Sequence, residues 1–263
     1  MVTVELTPNL PQFRLSGRWT QTDSGSLIAS WASASVSFIL TSSSLSIRLG
    51  PQTTHKDTFD GSSTTLVCSL SDLTGSHDYH LSIPTSTQVL TFPDAEPGLL
   101  SLFDRLKDGQ QKLIKITLVD WSSVLELVSI VVDSVRTFPL SPRGLLRAEA
   151  ERHSHQSDAV QALPKSSPGP RLLFIGDSIS CGYASPQMLI PHGSLDAFTS
   201  RASEHLGVPY GIIAYPGVTL VGPTASGVSF VHREPGMVSR FFLVRAERTY
   251  AASSISHSSC VRS

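Results

Sequence analysis

Charge, cysteine and asparagine are all scarce in this chain, and it has no long apolar run. Charged residues make up 16% of its 263 positions, 20 basic against 21 acidic, for a formal net charge of −1. Such a balance offers no broad attraction to nucleic acid or to an anionic membrane, so neither partner is expected. Nothing approaches the ~18 consecutive apolar residues of a membrane span. The opening MVTVELTPNLPQF carries Glu5, Pro8 and Pro11, which break any apolar signal core. A cytoplasmic location is therefore expected, with secretion the alternative should the amino terminus be incomplete. The cysteines, Cys68, Cys181 and Cys260, are odd in number and far apart, without a C-x-x-C pair. That excludes a disulfide framework and a zinc knuckle, and fits a reducing compartment. Asparagine occurs once, at Asn9, and no aspartate follows Asp196.

What is present is enough apolar residue, 40% of the chain, for a sizeable core. The first region, to about Arg136, reads as β. In SVSFILTSSSLSIRLG, the residues Val36, Phe38, Leu40 and then Leu45, Ile47, Leu49 alternate with small polar ones across a serine-rich turn. That pattern predicts a hairpin with one buried face. Further short runs follow at TTLVCSL, TQVLTF, KLIKITLVDW and VLELVSIVVDS, each bounded by Gly, Pro, Asp or Ser. Together they predict an antiparallel sandwich. One exception is PGLLSLFDRLKDG, Pro97 to Gly109, whose spacing predicts a short amphipathic helix closed by glycine.

From Phe138 to Pro170 the chain is proline-rich at both ends and polar between, which predicts an interdomain linker holding at most one loose helix. From Arg171, RLLFIGDS reads as a buried strand entering a turn. LDAFTSRASEHLG places Phe198, Ala202 and Leu206 at helical spacing with Gly207 as the stop, and VPYGIIAYPG is a second strand. Strand, turn, helix and strand predict one βαβ unit of a parallel sheet. The end of the chain, ERTYAASSISHSSCVRS, has no periodicity and reads as disordered.

The chemistry concentrates at RLLFIGDSISCGY. A serine at the carboxyl end of a parallel strand sits where open α/β sheets bind ligands. At the start of a helix, its backbone N–H would favour a developing oxyanion beside Ser178 Oγ. Gly176 permits the tight turn. The alternative is plain capping, with Asp177 and Ser178 serving the following helix. The nucleophile elbow G-x-S-x-G is not matched, because its fifth position is Ser180.

FIGDSISCGY closely resembles the first block of the GDSL/SGNH hydrolases, in the form found in carbohydrate esterase family 2, the two-domain acetyl esterases. SGRW, WASASVSFILTSSSLSIRLG and the strands up to VVDS resemble that family's N-terminal jelly-roll domain. DAFTSRASEHLGVPYGIIAYPGVTL is similar to the stretch that carries its second block, whose glycine falls on Gly217. The likeness runs from about Ser16 to Leu220, in the family's order. It implies a jelly-roll-like β-sandwich over 1–137, a linker over 138–170, and an incomplete flavodoxin-like α/β SGNH domain over 171–242. A disordered tail over 243–263 would follow. It implies Ser178 as nucleophile, the Ser178 and Gly217 amides as oxyanion donors, and Asp177 as a structural residue steadying the turn. The implied reaction is acyl transfer to water, with no metal or organic cofactor. The implied substrate is an O-acetyl or other short-acyl ester of a carbohydrate.

The family's G-x-N-D block and its late D-x-x-H block, the source of the base, have no counterpart here. After Gly217 the only histidines are His232 and His257. PGMVSRFF, Pro235 to Phe242, is still similar to the family, and the likeness stops beyond it. A domain cut short at its carboxyl end is therefore expected, leaving an open sheet edge and an uncovered apolar face. The rival class is a non-catalytic carbohydrate-binding or interaction protein that keeps the sandwich. Other groupings read blandly. His77, Asp78 and His80 in SHDYH suit a polar turn better than a metal site. Trp19, Trp31 and Trp121 suit a sandwich core better than a sugar platform. ERHSHQ in the linker is solvated, and Cys181 packs its helix against the sheet.

Overall fold

The computed structural model describes residues 2–55, 64–72, 87–104, 111–121, 123–134, 159–163, 171–182 and 193–214. Among these the chain is mostly β. The strands, in chain order, are β1 (Val2–Leu6), β2 (Arg14–Ser16), β3 (Thr20–Gln21), β4 (Leu27–Ala29), β5 (Ser35–Leu40), β6 (Leu45–Leu49), β7 (Thr54–His55) and β8 (Leu66–Asp72). They continue with β9 (Thr87–Phe92), β10 (Gly98–Phe103), β11 (Lys112–Leu118), β12 (Ser123–Ser134), β13 (Val160–Gln161), β14 (Leu172–Gly176) and β15 (Tyr210–Ala214). One α-helix, α1 (Phe198–Leu206), lies between β14 and β15.

Two antiparallel sheets face each other. One runs β10-β6-β12-β4-β3, with β1 and β7 also on β12; the other runs β13-β5-β11-β8-β9, with β2 on β5. Their inward residues form one core that includes Phe38, Leu40, Leu45, Ile47, Leu66, Ile114 and Ile130, all 0% exposed. Phe13 meets Phe38 edge to face at 5.1 Å. The antiparallel strands expected at TTLVCSL, TQVLTF, KLIKITLVDW and VLELVSIVVDS are present as β8, β9, β11 and β12.

Two local expectations fail. The runs around Val36 and Ile47 are not a hairpin: β5 pairs with β11, β2 and β13, whereas β6 pairs with β10 and β12. Both strands show the alternation a hairpin needs, but their apolar faces meet across the core instead of lying side by side in one sheet. The turn between them is an arch, in which Ser42 Oγ donates to Asp133 O at 2.8 Å and Ser44 Oγ bonds the Asp133 carboxylate. The helix expected from Pro97 is strand β10, in register with β6 from Gly98↔Leu49. GLLSLF carries leucines at both helical and strand spacing, and pairing with the edge of β6 decides between them. Part of the stretch read as a linker also joins the sandwich: Val160, 1% exposed, pairs with Leu40 at the edge of β5.

Cys68 faces this core, and burial pushes its thiol up to about 12. Since the folded value lies above the unfolded one, the stabilisation is complete below about pH 9 and is lost as pH rises toward 12. Urea titrations of the protein and of Cys68→Ala should therefore converge in stability above pH 10. Parallel curves across that range would show that Cys68 does not titrate with folding.

Candidate active site

β14 and β15 form a parallel pair in the register Leu172↔Tyr210 to Gly176↔Ala214, so both strands end at the same edge. The expected strand–turn–helix–strand unit is therefore present. α1 ends as expected: Gly207 adopts φ +63 and its N–H returns to Ser203 O and Glu204 O. Its buried side is not the expected one. Thr199, Ser200 and Ser203 are buried, while Phe198 and Leu206 stand 53% and 59% exposed.

The reason is a set of hydroxyl bonds that tie this unit to one end of the sandwich. Ser200 Oγ donates to Ser194 O at 2.6 Å and lies within bonding distance of the Tyr210 hydroxyl. Ser33 Oγ donates to Ser194 Oγ at 2.8 Å, and Ser194 N–H donates to Val119 O at 3.1 Å. Gly193, at φ +46, is obligatory here, since a Cβ would lie 2.4 Å from the Val119 carbonyl oxygen. A polar contact surface buries the serines, and the apolar stripe faces outward. Phe174 packs edge to face on Phe198 of α1, and on the opposite side of β14 Leu173 and Ile175 are 54% and 51% exposed, with Ile179 of the following turn at 70%.

Ser178 follows the end of β14 by two residues and is half-buried. The expected helix after it is, among the described residues, a turn over 178–182. Cys181 N–H donates to Asp177 O and Gly182 N–H to Ile179 O, both at 3.3 Å. Asp177 is exposed, and its Oδ1 accepts the Ile179 N–H at 3.2 Å, an Asx-type closure of the turn. Gly176 leaves no room for a side chain: a Cβ would lie 2.0 Å from Ser180 Oγ. Gly176→Ala should expel Ser180 from its buried position, destabilise the turn by about 1–3 kcal/mol, and lower the melting temperature. An unchanged melting temperature would show that Ser180 moves aside freely.

Trp31 and Trp121 are neither a sugar platform nor part of the sandwich core. They are 2% and 6% exposed and pack in a second cluster with Ala32, Cys181, Ile212, Ile213 and Ala214. The composition of the sandwich end, WASAS and VDW, could have signalled a buried contact, but nothing in the sequence indicated its partner. Trp19 does pack on the sandwich core, and its Nε1 donates to Ser16 O at 2.9 Å. Cys181 is fully buried, as expected, though against the tryptophans as well as the sheet. Among the described residues no histidine or carboxylate bonds the Ser178 hydroxyl, and no group of three or more His, Cys, Asp or Glu could hold a metal. No described helix is long and apolar enough to cross a membrane. Gly217, His77, Asp78, His80, Glu151 to Gln156, His232, His257, Cys260 and the tail over 243–263 lie outside the described residues.

The described chain is thus an antiparallel sandwich with a parallel βαβ unit docked on one end, a serine at the strand edge. Solved structures resemble this chain in fold. A family two carbohydrate esterase from Cellvibrio japonicus matches at TM-score 0.57 and 13% identity, over 84% of this chain and 54% of that one. A family two carbohydrate esterase from Clostridium thermocellum, in complex with cellohexaose, matches at TM-score 0.56 and 14% identity, over 87% of this chain and 57% of that one. The chain spans just over half the length of these structures, and the likeness is one of fold. The resemblance to family 2 carbohydrate esterases is therefore present in three dimensions. No family model matches the chain, and no curated protein matches it in sequence.

Proposed function

We propose that the chain is a serine ester hydrolase that removes acetyl or other short acyl groups from carbohydrate, with Ser178 as its nucleophile. The observation that carries this reading is the place of Ser178: half-buried, in the turn beyond β14, at the edge where β14 and β15 both end. The serine oxygen attacks the acyl carbon, the sugar oxygen leaves with a proton, and water hydrolyses the resulting serine ester. The Ser178 N–H is one oxyanion donor. Gly217, three residues beyond Ala214, supplies the second. In the same reading residues 1–137 are a jelly-roll sandwich, 138–170 a connection anchored at Val160–Gln161, and 171–242 an SGNH-like part.

Among the described residues no side chain bonds the Ser178 hydroxyl, and the second reading is a carbohydrate-binding protein without catalysis. Incubating the full chain with a serine-directed fluorophosphonate and a short aryl acetate separates them. A single phosphonyl adduct mapped to Ser178, with acetate release, supports the hydrolase. No adduct and no hydrolysis, with retained binding of cello- or xylo-oligosaccharide, would overturn it.

A further inference from the structure

We infer that Trp31 and Trp121, which the sandwich contributes, are positioning residues for Ser178 and act through Cys181. The inference rests on the reading of Ser178 as nucleophile. Cys181 is 0% exposed and packs in one cluster with both indoles. Its Sγ–H donates to Ser178 O at 3.4 Å, and its N–H donates to Asp177 O at 3.3 Å. One buried residue thus holds, through its thiol and its backbone amide, the two peptide groups that flank Ser178 and set the direction of its N–H and Oγ. On the opposite side of the turn Asp177 and Ile179 are exposed, so the inward contact fixes its position.

Backbone hydrogen bonds hold the seat. Trp31 lies beside Ser33, held at φ +66 with its N–H on Leu118 O at 2.8 Å, and Trp121 follows Val119, whose carbonyl accepts the Ser194 N–H. A second tie comes from α1, where Thr199 Oγ1 donates to Ser180 O at 2.9 Å. Cutting one indole back to a methyl group opens a void in the cluster that seats Cys181, into which the turn can relax. A displacement of about 1 Å at a nucleophile can cost on the order of a hundredfold in rate.

The test follows fluorophosphonate inactivation of the full chain by intact mass, separating the inactivation rate constant from the inhibitor constant, alongside alkylation of Cys181 and Cys68 mapped by peptide mass. For Trp121→Ala the rate constant should fall about 10- to 100-fold with the inhibitor constant nearly unchanged. Cys181 should be alkylated at least about tenfold faster while Cys68 stays protected. Trp121→Phe should restore most of the rate. Should Trp121→Ala expose Cys68 as well, and so unfold the sandwich, Cys181→Ala decides, with an expected loss of about fivefold or more. A wild-type rate in Trp121→Ala, or in Cys181→Ala, with labelled Ser178 in the parent would overturn the positioning role alone. A parent that never labels would overturn the nucleophile reading, and the positioning role with it.

Discussion

Ser178→Ala should abolish ester hydrolysis, with a loss of about a thousandfold or more in kcat/KM against a short aryl acetate. The loss should fall on kcat, because the hydroxyl forms a bond only during reaction and contributes little to binding the ground state. Its effect on stability should be small, since the side chain is half-buried and among the described residues only its backbone carbonyl is bonded, to Cys181. Binding of an oligosaccharide to the variant should match the parent. Residual hydrolysis within tenfold of the parent would remove Ser178 from the chemistry, even if the protein proved to be an esterase by another route. Ser178→Cys offers a second view, because a thiol there, told apart from Cys260 by peptide mapping, would be modified by alkylating reagents while the buried Cys68 and Cys181 would not.

Exposed apolar side chains on both sides of the βαβ unit bear on how the proposed activity would be preserved. Leu173, Ile175, Ile179, Phe198 and Leu206 are each more than half exposed. Since this parallel pair has only two strands among the described residues, its stability comes from the sandwich end, through Trp31, Trp121 and the serine bonds, more than from a core of its own. Separating residues 171–214 from the sandwich would remove that support.

How far the sequence could be read depended on whether a signal was local. The strand runs, the stop at Gly207 and the turn at Gly176 have local causes, and all are found in place. The arch between β5 and β6 was not legible, because alternation reports that one face is buried but not which sheet buries it. The strand β10 was missed for the same reason: GLLSLF satisfies two periods, and only its pairing with β6 selects one. The buried side of α1 was misread because apolar spacing was taken as the inward signal. Thr199 and Ser200 instead find partners on Ser180, Ser194 and Tyr210, and Ser203 on Val208 O, all outside the helix. The turn that carries Ser178 was visible as a motif, whereas its place in one cluster with Trp31 and Trp121 joins residues about 60 to 150 positions apart. No periodicity encodes such a contact.

Glu126 is the other residue the sequence concealed, inside the apolar run VLELVSIVV, and its replacement carries the largest expected effect on stability. It is 5% exposed on β12, just before the register shift between Leu127 and Ser129. Its carboxylate accepts from Ser26 Oγ at 2.7 Å and from Gln52 N–H at 2.9 Å, while its backbone closes on Gly50 N–H and Thr53 Oγ1. The side chain thus ties the β3–β4 turn to the turn after β6. Glu126→Ala removes the acceptor of the Gln52 N–H, leaves Ser26 Oγ with only the Thr22 and Ser24 hydroxyls, and opens a void, for a loss of about 3–5 kcal/mol. Gly50 is the complement of this arrangement, because a Cβ there would lie 2.2 Å from Glu126 Cδ. Gly50→Ala alone should therefore cost about 1–3 kcal/mol, yet in the Glu126→Ala background it should cost almost nothing. Urea unfolding of the two single variants and the double variant checks this. Additive losses would show that Glu126 and Gly50 act independently, and that the close packing of glycine against carboxylate has no part in holding the sheet.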